Sequence, residues 1–310
     1  MAPPSTSPAI SIHDVTRRFG SSIAVDRFTL EVKCSELFAL VGPDGAGKTT
    51  LMRLICGALA IDEGKLWVNG IDVNTQTSKV QAAIGYMPQR FSLYPDLSLM
   101  ENLRFYGDIF GVATQEFSER SQALLEDFDL WPFRGRLAEE LSGGMKQKLA
   151  LSCALIHSPA TILLDEPTAG VDPLSRREFW RILQSLNRRG TTIVVTTPYM
   201  DEAERGGRVG LMMRGSLVSC GTPDELRNGV PGEVVQIECD DRALARRTLR
   251  ADPSIRSIEI FGETLHALVS SADAAIPEVR KRLSDAGAGR AELRRIPATL
   301  EDAFVARLTA

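Results

Sequence analysis

The chain has 310 residues, which at roughly 150 residues per domain points to two domains, or to one large α/β domain with an appendix. Hydrophobic residues make up 44% and charged residues 25%, near the average of soluble globular chains, so disorder, collagen and coiled coil are excluded. Lys and Arg number 36 against 40 Asp and Glu, a formal net charge of -4, and without an extended basic stripe nucleic acid is not the expected partner.

Residues 1–9, with Pro3, Pro4 and Pro8, read as a flexible lead-in that lacks the basic and then apolar segments of a secretory signal. No apolar run reaches the ~18 residues of a membrane span, so the expectation is a chain on the cytoplasmic side, held at a membrane only through another protein. The five cysteines, Cys34, Cys56, Cys153, Cys220 and Cys239, are odd in number and lack metal-ligand spacing, and are expected to be small buried hydrophobes.

Next come short β-branched and apolar runs alternating with helical patterns, as in a parallel-sheet α/β domain. Leu37–Val41 is a strand buried on both faces, and residues 48–59 read as a helix. Leu66–Val68 and Ile71–Val73 flank Asn69-Gly70, the sequence of a type I′ hairpin turn. Residues 97–157 are mostly helical, including 117–128, and Ile162–Leu164 is a second buried strand. Asp172-Pro173 fits an N-cap followed by proline at the first helical position, with Gly190 closing that helix before a strand at 191–197.

Composition changes after Asn228, where Val230-Pro-Gly232 looks like a linker. Downstream the pattern predicts strand 233–239, helix 241–249, strands 255–261 and 264–270, helix 274–286 and strand 291–296. That βαββαβ order is the ferredoxin-like split arrangement. A helix over 299–308 follows, with Leu300, Phe304 and Leu308 on one face. The boundaries are therefore 10–228 for the first domain and 233–310 for an α+β accessory domain.

Gly42-Pro43-Asp44-Gly45-Ala46-Gly47-Lys48-Thr49, followed by Thr50, matches the phosphate-binding loop between a strand and a helix. With Gly at about 7% of residues, the pattern arises by chance in about one chain in a hundred of this length, before its strand and helix are required. Glycine-rich backbone lets N–H groups curl around phosphates at the positive end of a helix. Lys48 would neutralise phosphate oxygens. Thr49 and Asp165, the latter at the end of Ile162–Leu164, would hold Mg²⁺, and Glu166 would polarise an attacking water. The bland alternatives are a glycine turn with a solvated lysine and a solvated strand terminus.

Leu141-Ser142-Gly143-Gly144-Met145 opens a helix running through Leu149–Leu155. A helix cap explains Ser142 but neither glycine. This string, with the phosphate loop and Asp165-Glu166, resembles the ATP-binding-cassette (ABC) family, the ATPase subunits of ABC transporters, over about residues 10–225. The resemblance implies a P-loop cassette, with a mixed sheet core, an antiparallel β subdomain and a helical subdomain at 97–157, binding ATP and Mg²⁺. Phe19 looks like the aromatic that stacks on adenine, although a core role is the alternative. Gln89, in Tyr86-Met-Pro-Gln89, looks like the Q-loop glutamine that touches Mg²⁺ and water. Asp172 looks like the D-loop residue at a dimer interface, and the 141–145 string is the signature that caps ATP on an opposing subunit.

One departure stands out. Where the family carries a histidine, this chain reads Thr196-Thr197-Pro198-Tyr199, and proline has neither a side-chain donor nor a backbone N–H. The expectation is impaired hydrolysis at this chain's own site and pairing with a related ATPase that keeps its histidine, with the alternative that Glu166 suffices. The same combination resembles the first nucleotide-binding half of fused multidrug exporter ATPases, and Ile296-Pro-Ala-Thr-Leu300-Glu-Asp-Ala-Phe304 resembles the C-terminal helix of ABC type-2 drug-export ATPases. The function implied is the ATPase of an exporter for drugs or other hydrophobic compounds, working with a separate permease that docks at residues 89–106 near Phe91 and Tyr94. The other readings are a regulatory subunit that binds ATP without turnover and a soluble non-transport ABC protein.

Overall fold

The computed structural model describes residues 7–90 and 93–308 and divides into two compact units, 1–218 and 219–310. In the first unit, β1 (Ile10–Phe19) and β2 (Ser22–Val32) are followed by β3 (Leu37–Val41) and α1 (Lys48–Ile55). Then come β4 (Glu63–Val68), β5 (Ile71–Asp72), α2 (Thr77–Ala83) and β6 (Ile84–Met87). Helices α3 (Leu99–Ile109), α4 (Thr114–Asp127) and α5 (Gly143–Leu155) lead to β7 (Thr161–Asp165), α6 (Pro173–Arg188), β8 (Thr192–Thr197), α7 (Met200–Ala203), β9 (Arg208–Met213) and β10 (Ser216–Gly221).

The six-stranded sheet runs β10-β9-β3-β8-β7-β6, with β9, β3, β8, β7 and β6 mutually parallel. Strands β3, β7 and β8 are buried along their whole length, which is why they read as unbroken apolar runs rather than alternations. An antiparallel sheet, β2-β1-β4-β5, lies beside it. Asn69 and Gly70 both take positive φ, 50° and 76°, as the type I′ turn requires. Helix α1 stops four residues before Leu59 because Gly57 turns left-handed (φ 68°) and returns its N–H to the Leu54 carbonyl. Among the described residues no helix is long and apolar enough to cross a membrane.

The second unit begins with α8 (Pro223–Asn228), then β11 (Glu233–Cys239), α9 (Arg242–Arg250), β12 (Ile255–Phe261), β13 (Thr264–Val269), α10 (Ala272–Asp285), β14 (Ala291–Ile296) and α11 (Leu300–Leu308). Its antiparallel sheet runs β12-β13-β11-β14, the strand order that the split βαββαβ pattern generates. Two expectations are corrected. Leu308 is 43% exposed, and the buried stripe of α11 is Asp302, Ala303 and Ala306 behind Leu300, because the Asp302 carboxylate is drawn inward to the buried His266 ring, Nδ1 to Oδ1 at 3.0 Å. Of the cysteines only Cys56 and Cys153 are buried, while Cys34 and Cys220 are exposed and Cys239 is half-buried.

Candidate nucleotide site

The loop Gly42–Thr49 crosses from the end of β3 into α1. Glycine is dictated at two of its positions. A Cβ on Gly47 would sit 2.3 Å from the Ala24 carbonyl at a φ of +106°, and one on Gly42 would sit 2.2 Å from the Met212 carbonyl. Together with the free N–H groups of the first turn of α1, the loop forms an anion-binding concavity. The cavity above it, about 310 Å³, is lined by Ala24, Asp44–Thr50, Gln89 and Glu166.

Lys48 is buried, and its ammonium donates to the carbonyls of Gly42 at 2.8 Å and Pro43 at 3.1 Å while pairing with Glu166 Oε1 at 3.1 Å. Gln89 Nε2 donates to the other oxygen of Glu166 at 2.8 Å. The chain thus brings together its loop lysine, the acid after β7 and the glutamine after β6.

Asp165 is fully buried at the end of β7. Its Oδ1 accepts from Thr196 at 2.7 Å and from Thr49 at 3.2 Å. Oδ2 is buried with no hydrogen-bond partner, and burial pushes the carboxyl pKa up. A buried carboxylate oxygen without a donor, beside the Thr49 hydroxyl, fits a hard cation that takes few protein ligands and completes its shell with phosphate oxygens and water, as Mg²⁺ does.

Glu166 holds a left-handed backbone, φ 49°, which is strained for a residue with a Cβ. Its N–H donates to the Thr196 carbonyl at 3.2 Å and to Thr196 Oγ1 at 3.0 Å. Thr196 therefore braces both acids at once. Sequence reasoning missed that role, although a hydroxyl closing a wholly buried apolar strand was the available signal. Thr197 Oγ1 donates to Glu202 Oε2 at 2.6 Å. Both threonines before Pro198 thus direct their hydroxyl protons to carboxylates, and neither supplies the donor that Pro198 lacks.

Phe19 stands 47% exposed at the end of β1, with the Arg17 guanidinium 4.9 Å over its ring. Ser142 caps α5, accepting from the Met145 N–H at 3.3 Å. Gly144 is required by close packing, since a Cβ there would meet Ser175 Oγ at 2.5 Å, whereas a Cβ on Gly143 would face open space. Asp172 caps α6, accepting from Leu174 and Ser175. None of Leu141 to Met145 lines the loop cavity within this chain. Tyr94 is exposed and packs edge-on against Phe105 with centroids 4.6 Å apart; Phe91 lies outside the described residues.

Comparison with known proteins decides the family. The description "ABC transporter" matches residues 25–169. The Nod factor export ATP-binding protein I of Rhizobium etli is 39% identical over 303 residues, covering 97% of this chain and 93% of that protein. This chain belongs to the ABC transporter family. The cassette is also 33% identical to the daunorubicin resistance ATP-binding protein DrrA2 of Streptomyces coeruleorubidus, covering 97% of this chain and 95% of that one. With YbhF of Escherichia coli, named a "Probable multidrug ABC transporter ATP-binding protein", it shares 43% identity over 218 residues, 70% of this chain, and spans 38% of that relative's length. Among solved structures, an ATP-binding subunit of an ABC transporter superposes with a TM-score of 0.64 at 27% identity, over 71% of this chain and 92% of that one. A dimeric bacterial ABC transporter cassette gives 0.62 at 28%, over 69% and 98%.

Proposed function

We propose that the chain is the ATP-binding and ATP-hydrolysing subunit of an exporter for drugs or other hydrophobic compounds, acting with a separate integral-membrane permease and a second ATPase subunit. The observation that carries this reading is the convergence of Lys48, Glu166, Gln89 and Thr49 on one glycine-walled cavity, with the buried Asp165 bonded to Thr49 behind it. The relatives named for drug resistance and Nod factor export support the cargo class and direction. Residues 10–228 form the nucleotide-binding domain in this reading, with residues 97–157 as its helical subdomain and 233–310 as an accessory domain. The chain sits peripherally on the cytoplasmic face, its permease docking over residues 89–106.

Nucleotide phosphates would lie in the cradle of Gly42–Thr50, with the Lys48 ammonium facing the γ-phosphate in place of its present partner, Glu166. Thr49, Asp165 and Gln89 would hold Mg²⁺, which supplies charge neutralisation at the transferring phosphoryl group. Glu166, freed from Lys48 and steered by Gln89, would accept the proton of the attacking water at its carboxylate. Phe19 would stack on adenine. Ser142, Gly143, Gly144 and Met145 would close on ATP held by the opposing subunit, a role suited to the open space over Gly143, and Asp172 would lie at that interface.

A second reading rests on Pro198: this chain's own site turns over slowly, and its signature serves a partner ATPase that keeps a histidine. The test is steady-state hydrolysis with permease and candidate partner, comparing native protein with Pro198→His. Recovery by about tenfold or more supports the asymmetric pair. Ordinary turnover by a native homodimer refutes it.

A further inference from the structure

We infer that Glu202 is a positioning residue for Glu166, clamping the segment after the catalytic acid to the strand that carries Thr196 and Thr197. The inference rests on the ATPase reading above and deepens it. Glu202 is 1% exposed, at the first turns after Pro198, and it is not part of the cavity lining. Its two oxygens are divided between two polypeptide segments. Oε1 accepts from Thr168 Oγ1 at 2.7 Å and pairs with Arg176 Nε at 3.2 Å. Oε2 accepts from Thr197 Oγ1 at 2.6 Å. Arg176 also lies 4.5 Å over the ring of Tyr199, the residue after Pro198, and Thr197 Oγ1 in turn accepts from the Tyr199 N–H at 3.1 Å.

A carboxylate out of water persists only when charge and hydrogen bonds compensate its desolvation, and here every donor comes from a segment that must hold still. Thr168 follows Glu166 by two residues, and Glu166 itself is strained at φ 49°. Its N–H is pinned from one side by Thr196. Without Glu202 the other side, from Pro167 through the start of α6, loses its tie to β8. Pro198 offers no hydrogen-bond donor of its own, so the turn containing it is tied by Thr197 before it and Glu202 after it. The clamp therefore sets the direction of the Glu166 carboxylate and couples the Thr168–Asp172 segment to the strand beside it.

The test pairs isosteric removal with conservative rescue in the full chain with its permease. Glu202→Gln keeps the volume and removes the charge; Thr168→Val removes one hydroxyl, and Thr168→Ser restores it. The expected result is a fall in kcat of about tenfold or more for Glu202→Gln and Thr168→Val, with KM for ATP within about twofold, because misplacement by about 1 Å suffices for such losses. Thr168→Ser should keep at least half of native turnover. Backbone amide exchange over residues 166–172 should quicken in the two impaired variants while α1 is unchanged. Native kcat in both Glu202→Gln and Thr168→Val, or unaltered exchange over 166–172, overturns the clamp. If the native protein itself fails to hydrolyse ATP with any partner, the ATPase reading falls, and the exchange measurement decides the clamp alone.

Discussion

Substituting Gly144 by alanine tests how tightly the signature helix is set against its neighbour. The new Cβ would lie 2.5 Å from Ser175 Oγ and 2.7 Å from Ser175 Cβ. Rotating the serine moves its oxygen but not its Cβ, and carbon pairs rest at about 3.5–4.0 Å, so α5 and α6 must part locally by about 1 Å. Overpacking of this kind costs about 1–3 kcal/mol, and alanine's helix preference over glycine returns at most about 1 kcal/mol. The net loss is about 1–2 kcal/mol, which for a unit of this size lowers Tm by about 2–8 °C. The assay is thermal unfolding of the four members of a double-mutant cycle with Ser175→Gly. Removing the serine side chain should erase the cost of Gly144→Ala, a coupling of at least about 1 kcal/mol. A neutral or stabilising Gly144→Ala, or additive single effects, would refute the contact.

Gly47→Ala should weaken ATP binding by more than about tenfold, measured by titration calorimetry, because its Cβ meets the Ala24 carbonyl at 2.3 Å in a left-handed backbone. Asn102 is fully buried, accepts from the Tyr94 N–H and donates to the carbonyls of Tyr94, Leu97 and Ser98. Asn102→Leu strips the Tyr94 N–H of its acceptor, while the carbonyls of Tyr94, Leu97 and Ser98 keep the backbone N–H groups of Leu97, Ala138 and residue 102, and it should cost about 1–3 kcal/mol in urea unfolding. Burial pushes the Asp302 carboxyl up, but bonds from His266 and Thr299 hold it below its ordinary value. Its folded pKa is therefore depressed, and its contribution is present above the ordinary carboxylate pKa of about 3.9 and lost as pH falls through the lower folded value. Stability followed from pH 6 to pH 3 should fall less steeply in Asp302→Asn than in the native protein, and equal slopes would contradict the pairing.

The parts of the fold legible in the sequence are those set by local rules. Buried parallel strands such as Leu37–Val41 need continuous apolar runs, Asn69-Gly70 needs no tertiary help to form its turn, and Asp172-Pro173 caps α6 by chemistry carried in two adjacent residues. Strands 233–239, 255–261 and 291–296 likewise begin and end where the pattern places them. What escaped was decided across the chain. The face of α11 is turned by a buried imidazole–carboxylate contact rather than by its Leu/Phe stripe. Gly144 is glycine because α6 passes close by, and no local signal records that. Thr196 and Glu202 look like ordinary strand-end and helix residues until the fold brings Asp165, Glu166 and Thr168 against them.

Steady-state ATP hydrolysis by the purified chain with its permease, native against Glu166→Gln, is the most direct measurement of the central claim. The site geometry predicts Mg²⁺-dependent turnover that drops by about 10²-fold or more in Glu166→Gln while ATP is still bound. Hydrolysis that survives Glu166→Gln undiminished would contradict the assignment of Glu166 and of the cavity it shares with Lys48 and Gln89.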